Sequence, residues 1–227
     1  MQGRPLRSPF GIERGMPMLE VIWHARGGQG AFTAARCLGA AAALSAGACA
    51  LAFPTFGPER RGAPMRAFTK IDGAPIGDRS VVARAGIVVY LDETLLDDSW
   101  DAELADGGLM LLNTRRAVDD PRVVAIDADG ISAAVLGRPI PNTVFLGAIP
   151  AVCGAVSLHD VHEGIRATMP ARLHEKNVRI VDAAFEALAS RPDLPHLGGL
   201  GQRGGDSGTG LFDLAAAVLL EGEGSEA

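Results

Sequence analysis

The stretch WHARGGQGAFTAARCLGAAA, residues 23–42, decides the fold class of this chain. A strand-like run from Leu19 to Trp23 leads into Arg26-Gly-Gly-Gln-Gly30, here called the glycine turn, and a long helix of small residues follows. A strand, a glycine turn and a helix in this order leave backbone N–H groups unpaired at the helix N-terminus. Because about half a unit of positive charge collects there, the segment favours an anion, most often a phosphate.

The glycine turn lacks the marks of two common nucleotide sites. Ala25 stands where the first glycine of a dinucleotide-binding G-x-G-x-x-G motif would be, and the next predicted strand ends at Phe53-Pro54 without a ribose-binding acid. Glu59, the nearest acid, comes six residues after Phe53. No Gly-Lys-Ser/Thr sequence follows the turn, which excludes a nucleoside-triphosphate P-loop. The pattern favours a phosphate-bearing ligand other than NAD; the alternative is a turn that only packs a helix on a strand.

Short apolar runs alternate with helical patterns along the chain. The runs predict strands at 19–23, 49–53, 65–71, 86–91, 108–112 and 122–126. The helical patterns predict helices at 30–46, 94–105, 128–137, 143–155, 158–168 and 172–189. This alternation predicts an α/β fold, with an open, mostly parallel, Rossmann-like sheet flanked by helices. Ligands of such sheets bind beyond the C-terminal ends of the strands, where the glycine turn lies.

Composition divides the chain into four segments. Residues 1–17 are predicted to be an N-terminal extension, and residues 18–190 the folded domain. Residues 191–210 are rich in Gly and Pro, as a linker is, and residues 211–227 contain a short apolar helix or tail. We expect the last two segments to form a flexible extension whose helix docks on this domain or on a partner.

The chain has 227 residues, a net charge of −6 and three isolated cysteines. The negative charge disfavours generic binding to nucleic acids. Because Cys37, Cys49 and Cys153 form no CxxC pair, this chain cannot by itself hold a four-cysteine iron–sulfur cluster or a structural zinc. Free thiols and the lack of a signal-peptide pattern predict a cytoplasmic protein, with no membrane span and no metal site of its own.

A second distinctive segment, Phe53-Pro-Thr-Phe-Gly-Pro-Glu-Arg-Arg-Gly-Ala-Pro64, places arginines in a loop stiffened by prolines. Arg60 and Arg61 adjoin Glu59, and Arg66 follows shortly after. Guanidinium groups bind anions and carboxylates in a bidentate manner, so these residues are candidates for an anion site. An Arg–Glu network that pins the loop or a subunit interface is equally compatible. No catalytic Ser-His-Asp or Cys-His arrangement is evident, and no catalytic residue is assigned.

With both segments considered together, the chain resembles the gamma subunit of the 2-oxoacid:ferredoxin oxidoreductases, the family that acts on pyruvate, 2-ketoisovalerate and aryl 2-oxoacids. The likeness extends from about Leu19 to about Leu188. It also includes Arg66-Ala-Phe-Thr-Lys70, Val89-Tyr-Leu-Asp92, Leu112-Asn-Thr114, Leu136-Gly-Arg-Pro-Ile-Pro-Asn-Thr143 and Glu175-Lys176-Asn177. Ala25 departs from the family pattern, which usually has Gly at that position.

The resemblance implies one subunit of an oxidoreductase that decarboxylates a 2-oxoacid and forms an acyl-CoA. Thiamine diphosphate and magnesium would lie in alpha and beta subunits, and 4Fe–4S clusters would lie in partner subunits that include a ferredoxin-like delta subunit. Electrons would pass to ferredoxin or to a flavoprotein or NAD module. The chemistry would belong to these cofactors.

For this chain, the resemblance implies contact with coenzyme A. The diphosphate or 3′-phosphate would meet Arg26, Gly27, Gly28, Gln29 and Gly30. Arg60 and Arg61 would complete the site or, with Arg66, brace its loop. The alternative is an assembly subunit with no ligand of its own. A free-standing NAD-dependent dehydrogenase is a third, weaker interpretation, because the ribose-binding acid is absent.

Overall fold

The structure is a computed structural model, and it describes residues 18–45, 48–55 and 61–197. Several predicted features lie outside these ranges: the extension at 1–17, the loop residues Glu59 and Arg60, part of the linker (198–210), and the segment 211–227. What was expected of those residues stays a prediction. No helix within the three described ranges is long and apolar enough to cross a membrane.

In the described residues, six strands form a single sheet. They are β1 (Leu19–Arg26), β2 (Cys49–Pro54), β3 (Pro64–Asp72), β4 (Ala85–Tyr90), β5 (Leu104–Asn113) and β6 (Val123–Ile126). Their order is β2-β3-β1-β4-β5-β6. The pairs β1–β4, β4–β5 and β5–β6 are parallel, whereas β3 runs antiparallel to both of its neighbours. The prediction of an open, mostly parallel α/β sheet is confirmed, and all six strands were predicted.

Five α-helices of the part of the chain that the structure describes cover one face of this sheet. They are α1 (Ala31–Ser45), α2 (Ala128–Leu136), α3 (Asn142–Val152), α4 (Leu158–Thr168) and α5 (His174–Ala189). Side chains from β1, α1, α3 and α5 meet in a common core, where Trp23, Leu38, Phe145 and Ile180 are fully buried. Such burial is the main source of stability for the domain. Ser157 and Asp160 form a capping box at the start of α4.

The other face of the sheet is covered differently. Its buried side chains, among them Phe68, Val88 and Met110, lie under connecting segments rather than under α-helices in the described residues. Lys70 is 1% exposed on this face and binds Asp78 of the β3–β4 connection, with 2.8 Å between Nζ and Oδ2. This ion pair holds the connection between β3 and β4 against the sheet.

The prediction of a helix at 94–105 is wrong. Two short 3-10 turns, Glu93–Leu95 and Trp100–Glu103, occupy the segment, and β5 already begins at Leu104. The physical cause lies in two aspartates. The carboxylates of Asp92 and Asp97 each accept a hydrogen bond from the backbone N–H two residues later. Side chains that bind nearby backbone in this way compete with helical hydrogen bonds and favour turns.

Residues 191–197, the start of the predicted linker, pack on the domain. Arg191 donates a hydrogen bond to the Ala125 carbonyl (2.9 Å), and the N–H of Leu197 donates to the Val152 carbonyl (2.8 Å). The Leu197 side chain is buried in the core. Within the described residues, the chain therefore remains part of the folded domain up to this point.

Candidate functional site at the glycine turn

The glycine turn lies where the direction of chain winding changes. The chain leaves β1 through α1 toward β2 on one side, while β4 adjoins β1 in parallel on the other side. The carboxyl ends of β1 and β4 are therefore neighbours, with His24 opposite Tyr90 in the pairing. In open α/β sheets, ligands bind in the crevice at this kind of switch point.

The backbone of the turn is held in a defined shape. Gly28 and Gly30 have positive φ angles of 98° and 85°, which glycine adopts at little cost. The Gln29 N–H donates to the Arg26 carbonyl (3.0 Å), and the Arg26 N–H donates to Gln29 Oε1 (2.7 Å). The first helical bond of α1 runs from the Ala34 N–H to the Gly30 carbonyl. The preceding N–H groups of α1 have no acceptor within the helix, and its first turn contains no acid.

Arg26 connects the turn to two neighbouring segments. Its Nε donates to Asp92 Oδ2 (3.1 Å), and its two terminal nitrogens donate to Thr94 Oγ1 (2.8 Å) and to the Gly62 carbonyl (3.3 Å). Gln29 Nε2 donates to the same Asp92 oxygen (3.2 Å). The guanidinium thus ties the end of β1 to the segments after β4 and before β3. We call Arg26, Gln29, Asp92 and Thr94 the brace.

The carboxylate of Asp92 is ionised at neutral pH. Burial alone would raise the pKa of Asp92, but hydrogen bonds from Thr94 and Gln29 and the charge of Arg26 outweigh burial and hold that pKa below its usual value. An ionised Asp92 keeps Arg26 in place. The brace is therefore a positioning device whose cation is already paired.

Arg61 lies beside the turn with its side chain exposed. A methyl group built at Gly28 would be 3.8 Å from Arg61 Cγ and 3.9 Å from its Nε. Two backbone hydrogen bonds hold the glycine turn against the segment that follows Arg61. They run from the Gly27 N–H to the Ala63 carbonyl (2.8 Å) and from the Gly62 N–H to the Gly27 carbonyl (3.0 Å). Sequence reasoning placed Arg61 in this site, and the structure brings the two together.

Arg66 belongs to a separate internal cluster. Its guanidinium donates to Glu103 Oε1 (2.8 Å), and Glu103 Oε2 lies 2.5 Å from His24 Nε2. The His24 ring stacks on Tyr90 with 4.3 Å between centroids. Burial raises the pKa of Tyr90 to about 12, with further contributions from nearby acids. For Arg66, the structure supports an internal Arg–Glu network, and the acid is Glu103, which sequence reasoning did not identify.

The Ala25 side chain does not face the open side of the turn. It is fully buried and belongs to the core beneath the helices. Because the methyl group points into the core, the departure from the family's glycine leaves the path of a ligand clear.

Two further residues of the site escaped sequence reasoning. Asp92, which follows β4, anchors the brace by accepting from Arg26 and Gln29. Asn142, the first residue of α3, is 6% exposed and donates from Nδ2 to the Gly30 carbonyl (3.3 Å). It is separated from Gly30 by 112 positions, so only the tertiary fold brings it to the turn.

A pocket of about 590 Å³ opens beside the brace, between the carboxyl ends of β4 and β5. Thr94 belongs both to the brace and to the pocket wall. Leu96, Leu112 and Val118 give the wall an apolar part, and Glu93 and Arg116 add charge. If a ligand phosphate occupied the turn, the rest of that ligand could extend into this pocket.

A family model described as pyruvate ferredoxin/flavodoxin oxidoreductase matches residues 20–187. The chain belongs to this family. The match includes the glycine turn, the brace and Asn142. The family membership predicted from the two sequence segments is therefore confirmed.

The match to curated relatives extends over nearly the whole length of each relative. The common gamma subunit of the pyruvate/ketoisovalerate oxidoreductases of Thermococcus kodakarensis is 42% identical over 178 residues, 74% of this chain and 96% of the relative. Pyruvate synthase subunit PorC of Methanothermobacter thermautotrophicus is 45% identical over 175 residues, 75% of this chain and 96% of the relative. The crystal structure of pyruvate oxidoreductase subunit PORC from Thermotoga maritima has a TM-score of 0.64 at 35% identity and covers 74% of this chain and 96% of that one. The family member described here is thus a gamma subunit of a multi-subunit 2-oxoacid oxidoreductase.

Proposed function

We propose that this chain contributes to coenzyme A binding in its oxidoreductase complex, which decarboxylates a 2-oxoacid oxidatively and forms an acyl-CoA. Alpha and beta subunits hold thiamine diphosphate and magnesium, and partner subunits, including a ferredoxin-like delta subunit, hold 4Fe–4S clusters. Ferredoxin or a flavoprotein or NAD module accepts the electrons, and the complex is cytoplasmic. This chain supplies no catalytic residue.

The observation that carries the proposal is the unpaired N-terminus of α1 at the switch point of the sheet. Backbone N–H groups and the helix dipole favour a phosphate there, and no acid in the first turn opposes it. Coenzyme A carries a diphosphate and a 3′-phosphate. The exposed Arg61 beside Gly28 adds a positive charge at the same place.

The residues named from the sequence have different tasks under this proposal. Gly28 and Gly30 present backbone N–H groups, and Arg61 contacts a phosphate directly. Gly27 and Gln29 shape the turn, because their N–H groups donate to the carbonyls of Ala63 and Arg26. Arg26 acts through the brace, because its donors are already directed at Asp92, Thr94 and Gly62. The assignment of Arg60 rests on sequence alone.

The test is Arg61→Ala in the complex purified without oxygen. Loss of one phosphate contact should raise the KM for coenzyme A about fivefold, while kcat at saturating coenzyme A stays unchanged. Arg84→Ala is the matched control. Arg84 is also an exposed arginine, but it directly precedes the amino end of β4, away from the glycine turn, and pairs with Asp106 (2.8 Å). The control should leave KM unaltered.

The assembly alternative makes a different prediction for the same variant. It is favoured by the brace, which uses the cation of the glycine turn for internal contacts. If Arg61→Ala lowers only the yield of assembled complex and leaves the KM for coenzyme A unchanged, the binding proposal is wrong and the assembly role stands.

A further inference from the structure

The chain continues beyond the region that the family model matches, and its next residues follow a definite path over the domain. The match ends at residue 187. Arg191 then binds the edge strand β6 through the Ala125 carbonyl, and Leu197 binds the last residue of α3 through the Val152 carbonyl. This path leads from one edge of the sheet to the helices that cover its centre.

The end of α1 is the next surface along this path. Because β2 runs in the same direction as β1, α1 returns the chain from the carboxyl end to the amino end of the sheet. The helix α3 also begins beside Gly30, packs against α1 and leads away from the carboxyl end. Leu197, at the end of α3, therefore lies on the same side of the domain as the end of α1.

The last two turns of α1 present an uncharged, apolar face to solvent. Leu44 is 61% exposed, more than any other large apolar side chain in the described residues. A single exposed leucine is ordinary. Here, however, helical spacing places the half-buried Ala40 and the exposed Ala43 on the same face as Leu44. The first charged residue along this face is Arg36, about two turns before Leu44.

A segment of the same chain matches this face in length and character. Residues 214–220, Leu-Ala-Ala-Ala-Val-Leu-Leu, contain no charged residue and are bounded by the acids Asp213 and Glu221. As a helix this run would span about 10 Å, close to the distance of about 12 Å between Arg36 and Leu44 along α1. Either direction of the run along α1 places an acid near Arg36.

The connection between Leu197 and this run is long enough for the two to meet α1 together. It consists of the sixteen residues 198–213, which are rich in glycine. A Gly-rich chain of this length has a typical end-to-end distance of about 20 Å. Since neighbouring helices are about 10 Å apart, the run reaches α1 from the end of α3 without strain.

We propose that residues 214–220 form a helix that docks on the exposed end of α1, with Ala40, Ala43 and Leu44 as its docking surface. The contact removes apolar surface of both segments from water. It also secures the end of the helix whose start carries the glycine turn. The inference is independent of coenzyme A binding, because it concerns the opposite end of α1.

The experiment is hydrogen exchange on the assembled complex, with variants on both sides of the contact. The tail variant combines Leu214→Ala, Leu219→Ala and Leu220→Ala, and it should speed exchange in peptides covering 38–45 about fivefold. Leu44→Ala should do the same, because alanine keeps the helix propensity and removes the contact. It should also speed exchange in the 214–220 run. The two changes together should act no more strongly than either alone.

Val81→Ala is the matched control. Val81 is 54% exposed but belongs to the connection between β3 and β4, so its substitution should leave exchange at 38–45 unchanged. Unchanged exchange at 38–45 in the tail variant, or additive effects of the tail variant and Leu44→Ala, would overturn the inference. If the tail variant instead lowers the yield of assembled complex and leaves exchange at 38–45 unchanged, the run docks on a partner subunit and the inference is wrong.

Discussion

The two ends of β1 differ in whether the polar groups beside them have partners. At the amino end, Lys70 of β3 is buried between two carboxylates, with Nζ 3.2 Å from Glu20 and 2.8 Å from Asp78. At the carboxyl end, the first turn of α1 has N–H groups without acceptors and Asn142 has an unsatisfied oxygen. Matched groups stabilise the domain, and the N–H groups at the start of α1 are the ones that a ligand can use. Variants at the two ends should therefore separate stability from binding.

The largest effect is expected for Gly30→Ala. The new methyl group meets Asn142 and occupies a backbone conformation with positive φ, so we expect a loss of about 2–3 kcal/mol in unfolding free energy. The displaced helix start should also abolish saturation by coenzyme A. Urea unfolding of the full-length chain and the KM of the complex measure the two effects.

Gly107→Ala is the control for this variant. Gly107 has a similar φ of 73°, but a methyl group there meets nothing within 4 Å. The Gly107→Ala variant should lose only about 1 kcal/mol of unfolding free energy and bind coenzyme A normally. Equal effects of the two substitutions on KM would contradict the special role of Gly30.

Lys70→Met should affect stability alone. The substitution keeps the buried stem but leaves Glu20 and Asp78 without their cation, so we expect a loss of about 1–3 kcal/mol in unfolding free energy. The KM for coenzyme A should not change. An increase in KM equal to that of Arg61→Ala would mean that the two ends of β1 are not independent.

The third and smallest effect concerns pH and the brace. Because the pKa of Asp92 is lower in the folded chain than in the unfolded chain, its ionised form contributes stability above the unfolded pKa, about 3.9. This contribution disappears as the pH falls through the folded pKa. Asp92→Asn should lower the unfolding free energy by about 1–2 kcal/mol at pH 7.

Urea unfolding between pH 7 and pH 3 checks this expectation. The difference between the parent chain and Asp92→Asn should be constant down to about pH 5 and should shrink below about pH 4. Asp106→Asn, which removes an almost fully exposed partner of Arg84, is the control and should change stability little. A difference for Asp92→Asn that does not depend on pH would show that the charge of Asp92 is unimportant.

Much of the fold was predictable because the signals are local. The apolar run 86–91 and the small-residue helix after the glycine turn identify their elements without tertiary information. The helix predicted at 94–105 is absent, because the carboxylates of Asp92 and Asp97 each accept a hydrogen bond from the backbone N–H two residues later. Such side-chain bonds compete with the hydrogen bonds of a helix and leave two 3-10 turns in its place.

The site was predictable only in part. The glycine turn is a local motif, so its position at the end of β1 followed from sequence. The partners that determine its chemistry are distant: Asp92 lies 66 positions from Arg26, and Asn142 lies 112 positions from Gly30. Sequence reasoning assigned Arg26 to the ligand because its pairing with Asp92 becomes visible only when β4 is placed beside β1.

The most direct test of the coenzyme A site is hydrogen exchange on the complex with and without coenzyme A. Peptides that include residues 26–34 should exchange more slowly with coenzyme A, because the phosphate accepts hydrogen bonds from the open N–H groups. Peptides around Lys70 and Asp78 should exchange at the same rate in both states. Unchanged exchange at 26–34, in a complex saturated with coenzyme A, would contradict the account.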